Sequence, residues 1–149
     1  MATPAPTLRL AIAESDDEIR AAFEVLRQLR THFTSADLLL AQIRRQESQG
    51  YRLLCARREG KVVGCAGFRR LESLFAGRYL YVDDLVTCEQ ERSTGVGKAL
   101  LDYLTALGRD EGREDLHLDS GVQRKDAQRF YHREGLTIAS FHFKKAIEP

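Results

Sequence analysis

The hydrophobic period changes several times along the chain, and each change marks an element. Leu8-Arg9-Leu10-Ala11-Ile12 alternates apolar with small or polar residues, the period of a half-buried strand. Ser15-Asp16-Asp17-Glu18 then supplies the hydroxyl and acids that favour a helix N-terminus, so a helix is predicted from about Asp16, with Ile19, Phe23, Leu26 and Arg30 along one stripe. Thr34-Ser35-Ala36-Asp37 is a second start of the same kind, ahead of Leu38, Leu39 and Ile43. Tyr51 to Arg58 and Lys61 to Arg70 are rich in β-formers and are separated by Glu59-Gly60, which reads as a hairpin turn. A third strand is predicted from about Arg78 to Cys88.

Beyond that strand the period returns to a helical one. Val96, Leu100, Tyr103, Leu104 and Leu107 mark one helix face, which fades between Gly108 and Gly112. Leu116-His117-Leu118-Asp119 alternates as a short strand. Arg124 to Glu134 carries Ala127, Phe130 and Tyr131 on one face and stops at Gly135. Leu136 to Ile147, with Ile138, Phe141 and Phe143, reads as one or two closing strands. The predicted order is β-α-α-β-β-β-α-β-α-β, an α/β single domain with a mixed central sheet flanked by helices.

Composition narrows the partners. The 149 residues are 43% hydrophobic and 30% charged with a formal net charge of +1, enough for one buried core and no global pull toward nucleic acid or an anionic membrane. No apolar run is long enough to span a bilayer, and Met1 to Thr7 has neither the basic region nor the apolar stretch of a signal peptide. The expectation is a cytoplasmic protein with a mobile leader at residues 1–6 and one domain over 7–149. Cys55, Cys65 and Cys88 lie in apolar stretches without Cys-x-x-Cys spacing and are expected as buried, reduced thiols. His117 with Asp119 is too sparse to suggest a metal site, and none is expected.

The densest chemical signal is Arg92-Ser93-Thr94-Gly95-Val96-Gly97-Lys98, where the strand pattern passes into the helical one through two glycines. The first four N–H groups of a helix lack intrahelical acceptors and the helix dipole adds positive charge there, so an anion is favoured. Arg92 and Lys98 add charge, and glycine removes side-chain bulk from the approach. A P-loop would need Gly at position 92 and Ser or Thr at 99, where Arg92 and Ala99 stand; a dinucleotide fingerprint starting at Gly95 meets Leu100 in place of its last small residue. What remains, Arg-x-x-Gly-x-Gly between strand and helix, resembles the pyrophosphate-binding motif of the GCN5-related N-acetyltransferases (GNAT). A second segment agrees: Ala127-Gln128-Arg129-Phe130-Tyr131-His132-Arg133-Glu134-Gly135-Leu136 is similar to that family's Ala-x-x-Phe-Tyr-x-x-x-Gly-Phe.

The resemblance covers nearly the whole chain and implies an acetyl-CoA-dependent N-acetyltransferase that acts by direct transfer to a primary amine of a small molecule or peptide. It implies that Leu85, Val86 and Thr87 form a splayed strand whose backbone N–H meets the thioester carbonyl and the pantetheine arm, and that Arg92, Ser93, Thr94, Gly95, Val96, Gly97 and Lys98 hold the pyrophosphate. Phe130 and Tyr131 fall near the sulfur, with Tyr131 as general acid for the leaving thiolate. Tyr131 also reads as an interior aromatic paired with Phe130. Asp83 and Asp84 are candidate general bases, with Asp83 slightly preferred; strand alternation would send them to opposite faces, and the alternative is a pair that binds a neighbouring arginine. An acidic pair hints at a cationic acceptor. Arg124 replaces the family's asparagine seven residues before the tyrosine and is a candidate phosphate contact. Glu89 stands where the family usually has a proline. The family often pairs through sheets or C-terminal strands, so a homodimer is an expectation, with Phe141 and Phe143 serving either that contact or the core. The rival reading is a catalytically inactive acyl-CoA-binding sensor or partner-binding module of the same fold.

Overall fold

A computed structural model describes residues 7–149; the expected leader at residues 1–6 lies outside them. Strand β1 (Leu8–Ile12) opens the chain, followed by helices α1 (Asp16–Ala21), α2 (Phe23–Leu29) and α3 (Ala36–Gln46). Strands β2 (Arg52–Arg58), β3 (Lys61–Ser73) and β4 (Gly77–Thr87) come next, then α4 (Val96–Asp110), β5 (Asp115–Leu118) and α5 (Lys125–Arg133). The five strands form one mixed sheet in the order β1-β2-β3-β4-β5, and β1 to β4 pair with one another in antiparallel succession.

Local chemistry explains most boundaries. Ser15 accepts a hydrogen bond from the Glu18 N–H while the Glu18 carboxylate accepts one from the Ser15 N–H, a complete capping box at the start of α1. Ser35 caps α3 by accepting from the Leu38 N–H at 3.2 Å. The first helical stretch, expected to run unbroken past Phe23, is interrupted at Ala22, so three helices rather than two precede β2. At the β2–β3 hairpin both Glu59 and Gly60 have positive φ, as a tight two-residue turn requires.

The sheet carries different helices on its two faces. Ile19, Val25, Leu26, Leu39, Leu40 and Ile43 pack with Tyr51, Leu53, Cys55 and Cys65 on one face. On the other, Val96, Leu100 and Leu104 of α4 are at most 1% exposed. Burying such a side chain contributes about 1.5–3 kcal/mol, so these stripes hold the helices to the sheet. The three cysteines are free and buried, as expected. Among the described residues no helix is long and apolar enough to cross a membrane.

The chain divides into two compact units, one ending at His117 and the other covering Leu118–Pro149. The second holds α5 and a closing stretch, residues 136–149, that forms neither helix nor strand. The closing strands expected there are therefore not formed: Phe141 and Phe143 are 83% and 91% exposed. Alternation alone does not make a strand, because a strand needs a partner for its backbone hydrogen bonds.

Candidate active site

The start of α4 is an open helix terminus. Its N-cap, Gly95, has φ 89° and makes no side-chain cap, and no acid stands in the first turn. A Cβ added at Gly95 would point into open space, the space an anion must enter to reach the orphan N–H groups. Ser93 also has positive φ, 65°, a conformation that costs a non-glycine residue energy and recurs at binding sites. Arg92 and Lys98 are largely exposed and pair at the surface with Glu89 at 4.0 Å and Asp102 at 2.9 Å. Such pairs are weak enough to yield to a phosphate. Val96, by contrast, is core, so its contribution is its backbone N–H.

Two residues that the motif does not contain shape this loop. Arg58, at the end of β2, donates to Glu91 Oε2 at 2.5 Å and to Thr94 Oγ1 at 3.2 Å, and Thr94 in turn donates to the Glu91 carbonyl at 2.6 Å. Arg58 thus neutralises an acid that would otherwise repel an anion and ties the loop to the sheet. Sequence spacing offers no signal for it, because Arg58 and Glu91 are 33 residues apart.

Strand β4 leads into the loop, and its second half runs beyond its neighbour. The Glu114 N–H donates to the Arg78 carbonyl at 2.8 Å and the rings of Tyr79 and His117 lie 4.4 Å apart, so β5 runs beside the first part of β4. With 4 residues against 11, β5 is too short to follow β4 to its end. Leu85, Val86 and Thr87 pair on the β3 side with Ala66, Cys65 and Gly64 and lie past that short neighbour.

The register of β4 against β3 overturns one expectation. Gly67 opposes Asp84 and Phe68 opposes Val82, which leaves Asp83 as the extra residue of a β-bulge. Asp83 receives both Nε and Nη2 of Arg69 at 2.8 Å. Asp84 receives Arg30 Nε at 2.7 Å and the Tyr51 hydroxyl at 2.8 Å. Gly67 and Arg69, two apart on β3, share the face on which Tyr51 is buried, so both carboxylates serve that face. The opposite-face reading fails because the bulge interrupts the alternation it assumed. Arg30 joins the two residues, its Nη2 donating to the Asp83 carbonyl at 2.9 Å. Each acid has an arginine, so the pair itself brings no excess negative charge.

Within the second unit, Tyr131 is 9% exposed and its ring lies 5.7 Å from that of Phe130. Burial pushes its phenol above the ordinary value, opposed by the Arg124 guanidinium at its hydroxyl. Tyr131 therefore keeps its proton at neutral pH. Arg124 stands at the N-cap of α5, near that hydroxyl.

Comparison with known proteins gives the class. Residues 14–136 match the acetyltransferase (GNAT) family. An uncharacterised N-acetyltransferase of Bacillus subtilis, YhdJ, is 33% identical over 134 residues, 89% of this chain and 94% of that protein. The aminoalkylphosphonate N-acetyltransferase of Salmonella typhimurium is 30% identical over 146 residues, 97% of this chain and 93% of that protein. The crystal structure of the aminoglycoside N-acetyltransferase AAC(6')-Iy with CoA has the same fold, with a TM-score of 0.80 at 14% identity over 99% of this chain and 100% of that one. The chain belongs to the GNAT family and is an N-acetyltransferase that uses acetyl-CoA.

Proposed function

We propose that this protein transfers the acetyl group of acetyl-CoA directly to a primary amine of a small molecule, with residues 7–149 acting as one N-acetyltransferase domain in the cytoplasm, as a homodimer. The observation that carries the reading is the uncapped, acid-free start of α4, flanked by Arg92 and Lys98. The residues present suit the donor: the N–H groups from Val96 onward, with Ser93, Thr94, Gly95 and Gly97, take the pyrophosphate, and backbone N–H groups of Leu85 to Thr87 take the pantetheine arm and the thioester oxygen. Bound there, acetyl-CoA supplies an activated acetyl group.

The chain's own residues do the proton work. A free amine has a pKa of about 10 and must lose a proton before it attacks. Asp84 takes that proton, directly or through a water. We prefer it to Asp83 because Asp83 is held by two charge-assisted bonds from Arg69, whereas one of the two donors to Asp84 is a neutral hydroxyl. Tyr131, kept protonated by burial, gives its proton to the leaving thiolate.

For the acceptor, the Salmonella relative's name and the arginine-balanced carboxylates together favour an amine that carries an acidic group, such as an aminoalkylphosphonate. The test is release of free CoA thiol with 2-aminoethylphosphonate, glucosamine, sisomicin, spermidine and a lysine peptide. The expected order puts 2-aminoethylphosphonate first. Acetyl-CoA binding with no thiol release across the panel would instead support the acyl-CoA sensor. With the best amine, Tyr131→Phe should lower kcat by roughly 100-fold or more and leave acetyl-CoA affinity unchanged; undiminished turnover across pH would remove Tyr131 from the mechanism.

A further inference from the structure

We propose that Tyr51 is a positioning residue for Asp84, completing with Arg30 a clamp that holds the carboxylate in one orientation for proton transfer from the acceptor amine. The proposal rests on Asp84 being the base.

Tyr51 lies just ahead of β2 and is 2% exposed, deep enough that a phenylalanine would serve for packing. A buried hydroxyl is costly unless it is hydrogen-bonded, and this one donates to Asp84 Oδ2 at 2.8 Å. The sheet is shaped around that bond. Gly67 opposes Asp84, and a Cβ added there would collide with the Tyr51 hydroxyl and ring. The bulge at Asp83 then sets the turn of β4 that brings Asp84 to the hydroxyl.

Arg30 closes the other side from the end of α2. Its planar fork reaches Asp84 Oδ1 and the Asp83 carbonyl together, which fixes the guanidinium against the strand. One donor per oxygen leaves each Asp84 oxygen with room to accept from a substrate or a water. The charged and titratable groups around Asp84 are Arg30 from α2, Tyr51, Asp83 with its Arg69, and Cys65 from β3. Burial and the Asp84 carboxylate push the Tyr51 phenol well up, so it remains a neutral donor and does not itself exchange the proton. Cys65 likewise stays a thiol, pushed up by its contact with Cys55 and by burial.

The experiment compares Tyr51→Phe, Arg30→Met, Arg30→Lys and Asp84→Asn in kcat, in KM for acetyl-CoA and in pH profile, using the fastest amine of the panel, with 2-aminoethylphosphonate expected. Tyr51→Phe should keep its melting temperature and acetyl-CoA KM, lose about tenfold in kcat, and shift the acid limb of kcat to higher pH, because a hydrogen bond to the charged form favours that form. Arg30→Met should lose more, and Arg30→Lys should recover part of the loss. Wild-type kcat and pH profile in Tyr51→Phe, beside an inactive Asp84→Asn, would reduce Tyr51 to packing and overturn the proposal. Wild-type kcat in Asp84→Asn would overturn the assignment of Asp84 itself.

Discussion

Helices α1 and α3 begin in one way and α4 in another. Ser15 and Ser35 each turn a side-chain oxygen onto an early N–H, and Asp16, Asp17, Glu18 and Asp37 place negative charge in the first turns. At α4 the cap is a left-handed glycine, the first turn has no acid, and Arg92 and Lys98 stand beside it. The same orphan N–H groups are thus satisfied from within at two helices and offered outward at the third. Stability is served at α1 and α3; at α4 that local stabilisation is absent and the N–H groups stay open.

The largest effect that tests this contrast is expected at Gly95. Gly95→Leu should raise KM for acetyl-CoA more than tenfold, because the side chain enters the open space before the helix and the positive φ suits only glycine. Titration with acetyl-CoA checks it, and unchanged affinity would mean that α4 is no different from its neighbours. Next comes Arg58→Met, which leaves the Glu91 charge uncompensated at the loop. We expect about a fivefold rise in acetyl-CoA KM at constant kcat, in line with loss of a partly exposed ion pair, and recovery when Glu91→Gln is added.

At the capped helices the effect should fall on stability alone. Ser15→Ala and Ser35→Ala should each cost about 1 kcal/mol in urea unfolding while acetyl-CoA KM stays constant. The smallest effect lies at the far end of α4, where Glu111 would oppose the dipole but for its arginines. Arg70 first, then Arg113, lowers its carboxyl from 4.5 to about 2 against the opposing effect of burial. Because the folded value is the lower one, this stabilisation is present above about pH 4.5 and is lost as pH falls toward about 2. The Glu111 side chain is partly exposed, 27% in its ion pairs, so Glu111→Gln should cost about 1 kcal/mol at neutral pH after screening is allowed for. Its melting temperature should converge with wild type across that acid window.

The elements were legible where local signals agreed. Ser15 and Ser35 mark helix starts by chemistry that acts within three residues, and Glu59-Gly60 forces a turn by backbone geometry alone. The uncapped start of α4 was equally readable, since Gly95 and the missing first-turn acids are local facts. The closing strands were misread because Ile138, Phe141 and Phe143 carry a strand's pattern without a strand beside them. Asp83 and Asp84 were found as candidates but assigned to opposite faces, since a bulge exists only in the pairing of β3 with β4 and leaves no mark on β4 alone.

The sequence by itself therefore determined the class, the order of strands and helices through α5 apart from the break at Ala22, and the place where acetyl-CoA is expected to bind, because these rest on interactions between residues a few positions apart. Only the tertiary structure decided what surrounds the carboxylates. Arg30 and Asp84 are separated by 54 positions, Tyr51 and Asp84 by 33, and Arg69 and Asp83 by 14. Those partners meet because the β-bulge, Gly67 and the packing of α2 on the sheet bring them to one face. The charge balance of Asp83 and Asp84 is set there, at distances along the chain over which no sequence period extends.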